Sequence, residues 1–176
     1  MKYEGAELEK KAASAVAELM VMAAKTAPKG RGTDSVVSLV IDGNEKNALC
    51  EEMRKIAEKT GQVFFERDAG NIENSHLVVL IGGRDISIGL IGCGFCGFKD
   101  CAEKKSAGGR CAFSMTDLGI AIGSAVSVAS NNRVDNRVMF SAGRAALNLK
   151  LFPEDVKICY GIPLSSSSKS IFFDRG

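Results

Sequence analysis

The chain has 176 residues, 45% of them hydrophobic and 25% charged, with 23 Lys and Arg against 21 Asp and Glu. That length suits one domain, residues 1–176, around a single core. A net charge of +2 without a basic run of five argues against a nucleic-acid surface, and a charged N-terminus without a long apolar span argues against a signal peptide or a membrane partner.

In chain order, residues 7–25 predict a helix. Leu8, Ala12, Ala15, Leu19 and Met22 recur at spacings of four, three, four and three and define one apolar face toward the core. Pro28, Gly30 and Gly32 end the helix in a loop that also carries Lys29 and Arg31, two cations able to face an anion. Residues 35–41 are a short β-branched strand. Asn44 then caps a second helix over 45–59, with Leu49, Met53, Ile56 and Ala57 inward and Cys50 a buried structural thiol. Residues 64–68 read either as an aromatic anchor beside an ion pair or as a chance echo of 172–175, and an Asn-rich turn follows through Asn74. The only histidine, His76, opens the next strand as a surface residue without a catalytic role. Residues 77–81 are nearly all apolar, so this strand is expected to be buried on both faces. Gly82 and Gly83 break it, and a weaker strand over 86–91 leads on.

Four of the six cysteines follow within one segment, Cys93, Cys96, Cys101 and Cys111, spaced C-x2-C-x4-C-x9-C in an inserted loop over 92–112. Four thiolates so close in sequence can hold a four-iron, four-sulfide cluster or a tetrahedral zinc; loose thiols or a redox disulfide are the remaining reading. With no histidine nearby the site is all sulfur. Gly94 and Gly97 each follow a cysteine, and positive φ there would turn amides toward sulfur, which an anionic cluster needs more than zinc does. Six cysteines in a chain without a secretory leader point to metal rather than to disulfides, and so to the cytoplasm.

Beyond a short helix over 102–106, residues 116–130 predict a helix capped by Thr116 or Asp117, with no charge in its body from Leu118 onward. Such a helix is buried all round. It is expected at the centre of the domain and at the contact of a homodimer, where Gly119, Gly123, Ser124 and Ser127 admit a close backbone. A strand over 137–140, a helix over 143–150 and a last strand over 156–160 containing Cys159 complete the core; Gly161-Ile162-Pro163 ends that strand, and a polar tail with Lys169 follows.

The C-G-x-C-G start of the cysteine loop resembles clusters of electron-transport and corrinoid iron–sulfur proteins. The exit of the first helix, from Met22 to Pro28, with its Gly-containing loop and following strand, is similar to the nitroreductase family. So are Asp117-Leu-Gly-Ile-Ala-Ile and the stretch from Leu147 through Leu-Phe-Pro-Glu-Asp-Val to Gly-Ile-Pro. Taken whole, through Ala-Pro-Lys-Gly-Arg-Gly (27–32), the cysteine loop and Phe-Phe-Asp-Arg (172–175), the chain resembles a prokaryotic family described as containing a ferredoxin domain.

These resemblances imply an α+β nitroreductase-like fold, a central mixed or antiparallel sheet flanked by helices, with the cysteine loop inserted. The nitroreductase resemblance also implies FMN. The family's loop serine and asparagine are replaced by Lys29 and Gly32, however, and its phosphate-gripping arginines have no counterpart in residues 1–11. Lys29, Arg31, Lys169 and Arg175 are the cations that could substitute. The expectation is an iron–sulfur redox protein, an electron carrier or reductase with an unidentified redox partner. The alternative is a zinc-stabilised binding module without redox chemistry. No Ser–His pair, paired carboxylates or phosphate loop indicates hydrolase or kinase chemistry.

Overall fold

A computed structural model describes residues 1–173. Its elements are α1 (Gly5–Thr26), β1 (Val36–Ile41), α2 (Gly43–Thr60), α3 (Phe64–Glu73), β2 (Leu77–Arg84), α4 (Cys101–Ser106), α5 (Ala112–Asn131), β3 (Asp135–Asn136), α6 (Phe140–Asn148) and β4 (Val156–Ser165), with a single tight turn at Gly30–Gly32. The strands form one antiparallel sheet in the order β1-β2-β4-β3.

β2 is buried on both faces, as its composition predicts. Leu77, Val79 and Ile81 enter one apolar cluster with α1 and α5, while Val78 and Leu80 enter a second with α2, α3 and α6. The strand does not stop at its glycines. A Cβ at Gly82 would stand 2.6 Å from a Val156 methyl and one at Gly83 3.1 Å from Leu118. Glycine there makes room for neighbours instead of ending the ladder, and β2 runs on to Arg84. β4 likewise continues through Gly161 and Pro163 to Ser165. Pairing on its other side lapses between the Asn136–Leu164 pair and the Met139–Gly161 bridge, where Pro163 can lack a donor.

Several expected elements shift. The stripe Leu8, Ala12, Ala15, Leu19, Met22 does not face the core. The buried positions of α1 are Ala13, Val16, Ala17, Met20 and Ala24, one residue and so about 100° around the helix. Small residues win because α1 packs flat on α5, where the Ser124 hydroxyl donates to the Ala23 carbonyl. Residues 64–73 are helical, with Phe65 buried and Asp68 held by Arg67 and the Ser141 hydroxyl, so the aromatic anchor beside an ion pair is present but on a helix. No strand forms over 86–91, and 137–140 contributes only the bridge at Met139. α5 begins four residues before Thr116, with Cys111 at its N-cap position. It is long and apolar enough to cross a membrane by length and composition, against the expectation of no such span. Here it lies on the sheet through Leu118, Ala121, Ile122, Ala125 and Ala129, but Gly119, Ile120, Gly123 and Ser127 are exposed, so it is not covered all round.

On the opposite side of the sheet α6 meets β4 backbone to backbone. A Cβ on Gly143 would fall inside the carbonyl of Cys159. Gly143→Ala is therefore expected to destabilise the protein by about 3 kcal/mol or to prevent folding. Gly70→Ala on α3, with open space around the new methyl, is expected to add roughly 0.5–1 kcal/mol. Urea unfolding of the two variants beside the parent checks both.

Candidate metal centre

The chain leaves β2 after Arg84 and reaches α5 at Ala112; the segment between carries the four cysteines of the loop expected over 92–112. Both limbs are tied at its base. The Ser114 hydroxyl donates to the Ile86 carbonyl (2.6 Å) and accepts from the Ile86 amide (3.2 Å). Asp85 accepts the Cys111 amide at 2.8 Å and the Lys104 ammonium at 3.1 and 3.3 Å, with Arg110 3.7 Å away. The Lys104 side chain is 4% exposed and that of Asp85 13%. Within the insertion, Asp100 caps α4 by accepting from the Ala102 and Glu103 amides, and Glu103 reaches back to the Lys99 amide at 2.6 Å. Gly94 and Gly97 have φ of +59° and +82°, the left-handed turns expected of them.

This framework brings Cys93, Cys96, Cys101 and Cys111 to the wall of one small cavity, otherwise lined mainly by Ile88, Leu90, Phe95, Phe98 and Phe113. The Phe95 and Phe113 rings stack with centroids 5.4 Å apart. Lys104 also lines this cavity. No three Cys, His, Asp or Glu side chains among the described residues converge closely enough for a single metal ion.

The thiols differ in character. Burial pushes the Cys50 thiol up to about 11 and the Cys159 thiol up to about 12, as suits inert core cysteines. Burial acts in the same sense on Cys111. There the amides of Ser114, Ile88 and Phe113 and the Ser114 hydroxyl outweigh it, and the pKa lies below the ordinary thiol value. The N-cap position at the start of a twenty-residue helix is where a thiolate is favoured.

The loop after α1 adjoins this cavity. The Gly30 amide donates to both oxygens of the buried Asp117 carboxylate at 3.0 and 3.1 Å, and Arg31 Nη1 donates to the Ile88 carbonyl at 3.1 Å. A second, polar cavity under this loop shares the walls Ile88 and Phe113 with the first. Lys29 points elsewhere. Its ammonium donates to the carbonyls of Ala24, Lys25 and Ala27 and closes the C-terminus of α1. Lys169 follows the exit of β4 at the opposite end of the sheet, and Arg175 lies outside the described residues. Of the four cations, the three that are described, Lys29, Arg31 and Lys169, are not gathered at one place within the chain.

At that far end His76 Nε2 stands 2.7 Å from the Ser166 hydroxyl, a Ser–His contact that the sequence reading did not anticipate. Asp85, Lys104 and Ser114 carry no signal in the sequence, and Asp117, expected as a helix cap, lies inside α5 and accepts the Gly30 amide instead. The Asp100-x-x-Glu103 spacing, a capping signature, was the one legible sign of α4's organisation. Nothing in the sequence singles out Lys104 as buried.

Residues 107–175 match the model of a family described as "Uncharacterized protein containing a ferredoxin domain". An uncharacterized protein of Archaeoglobus fulgidus is 40% identical over 166 residues, which cover 89% of this chain and 88% of that one. Among solved structures, a nitroreductase family protein from Clostridium novyi NT aligns with a TM-score of 0.60 at 12% identity, over 89% of this chain and 77% of that one. Oxidized iodotyrosine deiodinase bound to FMN and 3-iodo-L-tyrosine aligns with a TM-score of 0.61 at 10% identity, over 89% and 80%. At such identities the likeness shows the fold alone, and the fold is that of the nitroreductases. Near-full-length identity to the archaeal relative and the match of the C-terminal stretch place the chain in one family: it belongs to the proteins described as containing a ferredoxin domain.

Proposed function

We propose that this protein is an iron–sulfur redox protein, with Cys93, Cys96, Cys101 and Cys111 as ligands of a four-iron, four-sulfide cluster. The observation that carries the reading is that all four thiols of the C-x2-C-x4-C-x9-C segment line one cavity. A single zinc would draw its sulfurs to about 2.3 Å from one point; the positive-φ glycines that follow Cys93 and Cys96 favour the anionic cluster, which needs amides turned toward sulfur more than zinc does. When bound, such a cluster supplies one-electron transfer at a potential set by net charge, hydrogen bonds to sulfur and exposure. The chain's own part is to hold the thiolates and to set Phe95, Phe98 and Phe113 around them.

The flavin implied by the fold does not fit these residues within one chain. Lys29 is committed to α1 and Lys169 is at the far end of the sheet, so Arg31 is the one cation of the loop turned toward the cavity side. No step is assigned to FMN.

We also propose a homodimer joined through the outer faces of α1 and α5. Leu8, Leu19 and Met22 are 48%, 43% and 57% exposed and Ile120 is 41% exposed, beside the open glycines Gly119 and Gly123. Two neighbouring helices with apolar outer faces form a patch that a second copy can cover.

Protein prepared without oxygen should absorb broadly near about 400 nm and carry about four irons and four sulfides per chain. Cys93→Ser or Cys96→Ser should abolish this, whereas Cys50→Ser and Cys159→Ser should not. Stoichiometric zinc without iron would replace this reading with the zinc-stabilised one.

Asp85→Ala should cost about 3 kcal/mol in denaturant unfolding, because it strands a buried ammonium, and should lower the iron retained per chain. Adding Lys104→Met should recover most of the stability.

Light scattering should report a dimer at micromolar concentration, and Leu19→Glu with Ile120→Glu should give a folded monomer. A monomeric parent would remove the dimer from the proposal.

A further inference from the structure

The polar cavity under the loop after α1 holds two buried groups whose chemistry is unfinished. Ser35, 2% exposed, lines it, and its hydroxyl has no hydrogen-bond partner among the described residues. A buried hydroxyl left in that state is costly unless something in the cavity meets it. Asp117, 7% exposed, lines the same cavity. The other buried carboxylate among the described residues, Asp68, has Arg67 at 2.7 Å and the Ser141 hydroxyl at 2.6 Å. Asp117 forms no ion pair with any described residue. Its two oxygens share one amide, that of Gly30.

The neighbouring cations are turned to backbone. Lys29 donates to three carbonyls at the end of α1, and Arg31 donates to the carbonyl of Ile88. Lys29 feels the Asp117 carboxylate only through space. A buried charge is kept when it is paired or holds a metal ion. Water in the cavity would satisfy Ser35 and leave the charge of Asp117 uncompensated; a cation answers both needs.

Size and charge narrow the choice of cation. The cavity has room for roughly one water-sized occupant. Magnesium keeps several of its waters and would not fit, and one carboxylate among neutral oxygens is a poor match for calcium. The Ser114 hydroxyl already serves both the carbonyl and the amide of Ile86. Asp117, Ser35 and Thr33 are the polar side chains of the wall left to hold an ion.

We propose that this cavity binds one monovalent cation of sodium's size, held by the Asp117 carboxylate and the Ser35 hydroxyl. The ion ties the segment ahead of β1 to α5, behind Ile88 and Phe113, the walls shared with the cysteine cavity. The site stands independently of what the cysteines hold.

The test is thermal unfolding of the full chain, followed by circular dichroism in sodium chloride and in choline chloride at one ionic strength. The sodium NMR line width is measured on the same samples. With sodium at roughly tenfold its dissociation constant, the parent's midpoint should stand about 3–6 °C above its value in choline, and the parent should broaden the sodium line. Ser35→Ala removes a hydroxyl without a protein partner, so in choline it should unfold no earlier than the parent; in sodium it should show little of the parent's rise or broadening. Asp117→Asn should abolish both. Cys93→Ser, which should lose the cluster, should keep both, so the two readings fail separately.

A parent midpoint equal in the two salts overturns the proposal. So does a Ser35→Ala variant that unfolds earlier than the parent by the same margin in both, the mark of a lost water bridge. A sodium response that survives Asp117→Asn, or one that is lost in Cys93→Ser, places the ion elsewhere and overturns it as well.

Discussion

A strand that is apolar on both faces has to be covered twice, and β2 imposes that requirement on the whole chain. Leu77, Val79 and Ile81 need one helical layer and Val78 and Leu80 another. The α1–α5 side meets it with alanines, Ala17, Ala24, Ala121, Ala125 and Ala129, which let two helices lie close on the sheet and on each other. The other side meets it with α2, α3 and α6 and with the bare backbone of Gly143. The same strand delivers the chain to Asp85, beside the start of α5, and so fixes where the cysteines can gather.

Asp85 converts that position into a shape. A buried carboxylate with a buried ammonium contributes little net stability compared with apolar residues of the same size, because both ions lose their water. What it fixes is geometry: the ends of α4 and α5 are held to one point at the end of β2. The contrast among the cysteines follows from the same architecture. For Cys50 and Cys159 burial is the largest influence, and it outweighs the opposing pull of Lys46 and Arg54 on the first and of the Ile81 backbone on the second. Cys111 lies where a helix begins, and the amides there reverse the sign.

Much of this was legible in the sequence, for identifiable reasons. β2 showed itself by an unbroken apolar run, the cysteines by their spacing, and the turns at Gly94 and Gly97 by residue type. α1 was located correctly and its face was not, because the helix carries two apolar stripes one residue apart. The larger side chains, Leu8, Leu19 and Met22, are on the outer one. Size marks the core only when the partner surface is deep, and α5 presents a shallow one. Lys29 and Lys104 were opaque for a common reason. Each is a cation whose partner, three carbonyls in one case and a distant carboxylate in the other, exists only once the chain has folded. Gly82, Gly83 and Pro163 were misread as stops because local preference favours that, while a register already fixed on both sides overrides it.

The ties among Asp85, Ile86, Cys111 and Ser114 close the base of the insertion, whatever lies beyond them. Residues 87–110 thus hang from a completed scaffold as a separable unit. The entropic cost of a closed loop changes by only about 0.6 kcal/mol when its length doubles. The segment can therefore be lengthened, shortened or exchanged for another without renegotiating either helical layer. Scaffold and chemistry are in this sense free to diverge independently: a descendant could lose Cys93, Cys96 and Cys101 and still keep the sheet, its two coverings and the open faces of α1 and α5.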